Sequence, residues 1–257
     1  MVPFRHPLAL RQQACRLVRG GALPREAAAM LGVDVTTVYA WVAADAPDLI
    51  STPARRCWRC RPGASVDGGD YAQLLGLYLG DGWLVELKSG ACFLSIACAD
   101  SWPGLAAECE ELMRAVLATA VSRVPRRGCH DIKAYSRHWL CLFPQHGPGK
   151  KHDRPIVLES WQRELVAAHP GRLLRGLFHS DGWRGHNVAV HRAPDGFVTR
   201  YRYSRYEFTN KSADVRGICT EALDRLGIAW RPNGAYRISV NRRAAVAALD
   251  QHVGPKF

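Results

Sequence analysis

Two aspartates, Asp81 and Asp181, stand 100 residues apart in a chain of 257, and each is followed by glycine and tryptophan, Gly82-Trp83 and Gly182-Trp183. If each lies at the end of a helix, its carboxylate is electrostatically out of place. A helix C-terminus carries roughly half a negative charge and disfavours a further one by about 0.3–1 kcal/mol. Two such carboxylates brought together require positive charge between them. Hard oxygens from two aspartates and nearby backbone carbonyls suit Mg2+, whose shell phosphate oxygens can complete. Either Asp-Gly taken alone is an ordinary helix stop that starts a turn, with Gly82 and Gly182 placed as C′ caps. The same string twice, in register, is more than turn chemistry.

The segments before these acids read Leu-Leu-Gly-Leu-Tyr-Leu-Gly-Asp-Gly from Leu74 and Leu-Leu-Arg-Gly-Leu-Phe-His-Ser-Asp-Gly from Leu173. Gly76 and Gly80 are four apart, as are Gly176 and Ser180, which puts each small pair on one helix face and allows two helices to approach closely. From residue 70 onward the apolar periodicity predicts a repeated order. A helix over 71–79 is followed by strands at 83–87 and 91–97, a helix at 105–120, strands at 131–135 and 139–143, and a helix near 156–167. The order then restarts with a helix at 173–178, strands at 183–191 and 197–208, a helix at 212–226, short strands at 228–231 and 236–240, and a closing helix at 242–251. The expectation is an α+β fold of two pseudo-symmetric αββαββα halves, residues 70–169 and 170–257.

Residues 1–45 read differently. Pro7, Gly20-Gly21, Pro24, Gly32 and Asp34 punctuate three short helical patterns, with Asp34 as a cap for the third. The spacing fits a small all-α helix-turn-helix domain or a plain three-helix bundle, and the Ala-Ala-Ala-Met-Leu-Gly-Val-Asp-Val-Thr-Thr-Val-Tyr-Ala-Trp-Val stretch resembles the helix-turn-helix of transposases and resolvases. On that reading Val38 and Trp41 point inward, while Thr36, Thr37 and Tyr39 face a DNA groove. Residues 46–69, rich in Pro, Arg, Gly and Asp, read as a linker. It contains Cys57-Trp-Arg-Cys60, half of a zinc site that Cys92, Cys98, Cys129 or His130 could complete in space.

Lysine and arginine total 35 against 23 acidic residues, for a net charge of +12 and a pI near 9.6, a balance that fits a polyanionic partner such as nucleic acid. The surplus sits at the ends: residues 1–69 carry 9 basic and 5 acidic groups, 70–169 carry 11 of each, and 170–257 carry 15 and 7. The nine cysteines are odd in number and scattered, which predicts reduced thiols, mostly buried, and with the absence of a secretory or membrane-length apolar stretch a cytoplasmic chain. In the strand at 197–208, alternation groups Arg200, Arg202 and Ser204 on one face, and Arg184 and His186 align in the strand before it. These residues are either a basic face for the major groove or solvated surface.

The two helical segments resemble the paired signature helices of single-chain LAGLIDADG homing endonucleases over about residues 70–252. The resemblance implies a monomer with internal pseudo-twofold symmetry whose helices form the interface between halves, with sheets forming a saddle on double-stranded DNA. It implies Asp81 and Asp181 as catalytic metal ligands, with Gly80 and Ser180 offering main-chain carbonyls. It further implies a basic residue near the scissile phosphate, for which Lys150 or Lys151 and, in the second half, Arg237 are candidates. Residues 143–154, dense in Gly, Pro and cations, otherwise read as a basic linker. Arg175 and the His179-Ser180 pair depart from the family pattern. A helix-turn-helix beside a LAGLIDADG core also resembles a family of bacterial sporulation regulators, so a non-catalytic DNA-binding regulator stands beside the Mg2+-dependent endonuclease.

Overall fold

A computed structural model describes residues 6–45, 57–60, 66–87, 92–117, 120–192, 194 and 196–256. The expected linker at 46–56 and 61–65 lies outside them, as do the expected first strand residue Ala91 and part of the helix end before Ala120. The chain divides into two compact units, residues 1–56 and 57–257.

The first unit holds α1 (Leu8–Arg19), α2 (Pro24–Leu31) and α3 (Val35–Asp45). Pro24 opens α2, where its missing N–H costs nothing, and Gly32 ends it in the left-handed region at φ 63°. The Asp34 carboxylate accepts from the Thr36 amide at 2.7 Å and from the Thr36 hydroxyl, which fixes the start of α3. Ala14, Val18, Ala27, Val38 and Trp41 form its core, while Thr36 and Tyr39 are exposed and Thr37 is half-buried.

In the second unit Asp67 caps α4 (Gly68–Leu79), which starts three residues earlier than periodicity predicted. Every residue from Tyr71 to Leu79 is buried, as expected of a helix that is apolar all round. Then come β1 (Gly82–Glu86), β2 (Cys92–Ala99), α5 (Pro103–Val116), β3 (Val121–Arg126), β4 (Cys129–Tyr135), the short α6 (Trp139–Leu142) and α7 (Ser160–Ala168). The second half repeats this with α8 (Pro170–Asp181), β5 (Gly182–Arg192), β6 (Val198–Thr209), α9 (Ala213–Arg225), β7 (Arg231–Pro232), β8 (Arg237–Val240) and α10 (Arg243–Val253). Both sheets are antiparallel and have the same order, β1-β2-β4-β3 and β5-β6-β8-β7. Two αββαββα halves are therefore present. His169 alone separates them in sequence, closing α7 and opening α8.

The structure corrects four expected elements, one of them the strand expected at 228–231, of which only Arg231 is in a strand, β7. Residues 139–142 are helical rather than strand: Trp139 is fully buried and its indole donates to the Ala134 carbonyl at 2.8 Å, turning the chain back on β4. A short apolar run has no period of its own, so only packing decides it. The missing strand is Val121–Arg126, a polar edge strand whose Pro125 and exposed side chains carry no alternation signal. The helix expected from residue 156 starts at Ser160, where Glu159 and Gln162 cap it.

Candidate active site

The two halves meet along α4 and α8. A methyl group added to Gly76 would stand 2.6 Å from the Leu173 carbonyl and 2.9 Å from Gly176 Cα, and one on Gly176 would strike the Gln73 carbonyl. Near the helix ends a Cβ on Gly80 would collide with the Ser180 side chain. The small residues spaced four apart are thus the contact surface, backbone against backbone. Gly82 and Gly182 are not left-handed caps. Gly82 begins β1 and Gly182 has φ −95° and ψ 155°; a Cβ at either would press on Tyr78 or Phe178 one turn back. Asp181 closes α8, whereas Asp81 lies two residues beyond α4.

Arg175 and His179, which interrupt the apolar run of α8, belong to a polar cluster. Arg175 donates to Glu108 of α5 at 2.6 Å and to the Val253 carbonyl, while His179 lies 3.5 Å from the other Glu108 oxygen. Burial would raise the Glu108 carboxyl, but hydrogen bonds from His179, Arg175 and Gln73 outweigh it and hold the group at about 2.

Asp181 opens onto a cleft of about 650 Å³, lined among others by Gly80, Trp83, Lys150, Lys151 and Asn210, and a Cβ on Gly80, next to Asp81, would stand 3.2 Å from Asp181 Oδ2. The Asn210 amide donates to Asp181 at 2.7 Å. The Asp81 side chain keeps solvent access, yet crowding by protein atoms, followed by the charge of Asp181, pushes its carboxyl up to about 6. Burial also raises Asp181, against the pull of Asn210, Lys151 and Lys256.

Positive charge is present near the acids, as the electrostatics demand. Lys151 Nζ donates to the carbonyls of Leu79 and Gly80 at 3.0 and 2.7 Å, and to that of Tyr78, seating an ammonium on the negative end of α4. Burial lowers it to about 8, while Asp181 and Asp81 favour its charged form. Lys256, from the C-terminal segment, is attracted by both acids as well. Neither Asn210 nor Lys256 is evident from sequence, since each reaches the acids only through tertiary packing.

Other expected residues are distributed differently. Lys150 lines the cleft; Arg237 does not, standing opposite Thr209 in the β6–β8 register and 3.8 Å from Glu207. Arg184 makes a bidentate pair with Asp250 of α10 at 2.6 and 2.8 Å and lies over Tyr206, which packs on Phe178 of α8. Its face is therefore the helix-covered one. His186 faces Ser204 there, Arg202 joins Arg184 in a groove against α10, and Arg200 follows by alternation. The open face instead carries Trp183, Asn187, Tyr203, Arg205 and Glu207, with Arg205 stacked on Trp183 and paired to Glu207 at 3.2 Å. The first sheet repeats this motif: Arg126 stacks on Trp83 and reaches Asp131 at 2.7 Å. Among the four residues expected to join Cys57 and Cys60, His130 pairs with Asp100 at 2.7 Å, and Cys92 and Cys98 are core; Cys57 and Cys60 face His138 and Cys141 instead.

No family model matches the chain, and neither does any curated protein. Among solved structures it is similar to the I-LtrWI LAGLIDADG homing endonuclease bound to target DNA, with 8% identity and a TM-score of 0.46 over 73% of this chain and 85% of that one. It is similar to an I-DmoI variant in complex with its target DNA in the presence of manganese, with 14% identity and a TM-score of 0.46 over 73% and 95%. A mutant of I-SmaMI gives 12% identity and a TM-score of 0.45 over 71% and 84%. The architecture of two αββαββα halves is read from the chain's own sheet orders and helix pair.

Proposed function

We propose that the second unit binds double-stranded DNA and hydrolyses its phosphodiester bonds with Mg2+ at the cleft between Asp81 and Asp181, the first unit adding DNA contacts through Thr36, Thr37 and Tyr39. The observation that carries this reading is that the end of α4 brings Asp81 beside Asp181 at the close of α8, with Lys151 on the Gly80 carbonyl next to them. Burial raises both acids, Asp81 further through the charge of Asp181, and their oxygens suit a hard divalent cation. Asp81 and Asp181 would hold the ion with the Ser180 carbonyl, whereas the Gly80 carbonyl already accepts from Lys151. When bound, Mg2+ supplies Lewis-acid polarisation of a phosphate oxygen and activation of water. Asn210 orients Asp181 through its amide. Lys151 keeps its proton on Nζ at neutral pH and offsets charge developing on phosphate, and Lys150 grips the strand beside it.

A non-catalytic DNA-binding regulator is the second reading, favoured by one observation: Lys151 and Lys256 themselves supply positive charge to both acids. Incubating the full chain with a plasmid library of randomised inserts, with and without Mg2+, separates the two. The enzyme reading expects Mg2+-dependent ends that Asp81→Asn and Asp181→Asn each diminish by about a hundredfold or more. Sequence-selective retention without nicking, indifferent to both substitutions, would sink it. DNA binding is tested independently by its salt dependence, which should be steep.

A further inference from the structure

Far from sequence neighbours, four side chains bring metal-ligating atoms together. Cys57 Sγ, Cys60 Sγ, His138 Nδ1 or Nε2 and Cys141 Sγ all lie within 4.8 Å of one another. Cys60 Sγ is 3.5 Å from His138 Nδ1 and 3.3 Å from Cys141 Sγ, and Cys141 Sγ is 3.7 Å from the same nitrogen. A tetrahedral zinc centre, with Zn–S near 2.3 Å and Zn–N near 2.0 Å, requires S···S edges of about 3.8 Å and S···N edges of about 3.5 Å. The edges among Cys60, His138 and Cys141 lie within about 0.5 Å of these, and those to Cys57 are no longer than 4.8 Å, so an ion is accommodated by small side-chain adjustments. Three sulfurs and an imidazole are also the borderline-soft donor set that zinc takes in preference to the oxygen ligands of Mg2+.

The local folding that presents these atoms is built in. The Cys60 amide donates to the Cys57 carbonyl at 3.0 Å, closing a turn that points both sulfurs one way. His138 and Cys141 are three apart at the start of α6, which puts them on one helical face. Trp58 packs edge-on against Tyr71 and Trp161, and Arg59 lies 4.6 Å over the Trp161 ring, so the two residues between the cysteines lock the turn to α4 and α7. Cys57 is buried while Cys60 is exposed, giving an ion an entry side and a dry side.

We propose that Cys57, Cys60, His138 and Cys141 form a structural zinc site that clamps the start of the second unit to α6. Four protein ligands leave no open position, so the site holds structure and takes no substrate. Its ligand pairs are separated by 78 residues or more in sequence, the kind of long closure whose restraint removes most freedom from the unfolded chain. The segment directly after α6 is the loop that carries Lys151, tied back through Gln145, which bonds the Val157 carbonyl at 3.0 Å and Gln162. The clamp therefore holds the base of the loop that seats an ammonium on α4.

Elemental analysis of the full chain, purified without chelators from zinc-supplemented cells, should find about one zinc per chain. Replacement by Co2+ should give the visible bands of a tetrahedral centre with thiolate charge transfer, a reading that needs no variant. Cys60→Ser combined with Cys141→Ser should lower the zinc content at least about tenfold, whereas Cys129→Ser should leave it unchanged. Wild-type chain with less than about a tenth of an equivalent of zinc, iron in its place, cobalt bands without thiolate character, or a Cys60–Cys141 disulfide in the purified protein would each overturn the proposal.

Discussion

The two halves share a sheet order but not a charge arrangement. In the first, Asp81 lies past the end of its helix, open to solvent, and Lys151 covers the helix carbonyls. In the second, Asp181 ends its helix and is held by Asn210. The sheets diverge too: β5 and β6 run 11 and 12 residues against 5 and 8 for β1 and β2. Backbone geometry is thus duplicated because two glycine faces must fit each other, whereas the side chains that tune the acids are free to differ. Repetition in this chain guarantees where the carboxylates are, not how each is stabilised.

The strongest way to break the comparison is to spoil the shared surface. Gly176→Ala forces a methyl into backbone of α4 and should cost about 3 kcal/mol or more in denaturant unfolding. Gly217→Ala, in α9 where a methyl meets nothing, should instead gain about 0.5–1 kcal/mol. Equal responses would remove close approach as the reason for glycine at the crossing.

Next in size is the asymmetry of the site. Lys151→Met should slow cleavage by about a hundredfold and move both carboxyls further upward, seen as later titration of their side-chain NMR signals. Loss of rate with no movement of either titration would separate Lys151 from the acids.

A smaller effect distinguishes the two faces of the second sheet. Arg237→Ala, on the open face, should weaken DNA binding severalfold and reduce the salt slope by about one, while Arg184→Ala, whose partner is Asp250, should leave the slope alone. The reverse result would return the DNA to the helix-covered face.

The mildest expectation concerns pH. Asp81 titrates at about 6 when folded, against an ordinary 3.8, so the folded state holds this proton more tightly than the unfolded chain. Its contribution favours folding below 3.8 and is lost as pH rises through 3.8 to about 6. Denaturation midpoints of Asp81→Asn should therefore decline less over that window than those of the unsubstituted chain.

What sequence could reveal follows the range of each interaction. Small residues four apart are a local pattern, and they located the helix crossing and both acids. Alternation correctly grouped Arg184, His186, Arg200 and Arg202, but parity does not name the covered side. Tyr206 and Phe208, of the same parity, were the available signal, because an apolar pair at the strand end had to meet the helices. The partnership of Cys57 and Cys60 with His138 and Cys141, and of Asp181 with Asn210, depends on contacts between distant segments, for which spacing carries no information.

His169, the only residue between α7 and α8, has a mechanical consequence. A junction of one residue adds no slack between the halves, so their spacing is set by this joint together with the backbone contact of α4 and α8. Added length is affordable at the β5–β6 hairpin tip, where Gly196 takes φ 85°, rather than at this joint.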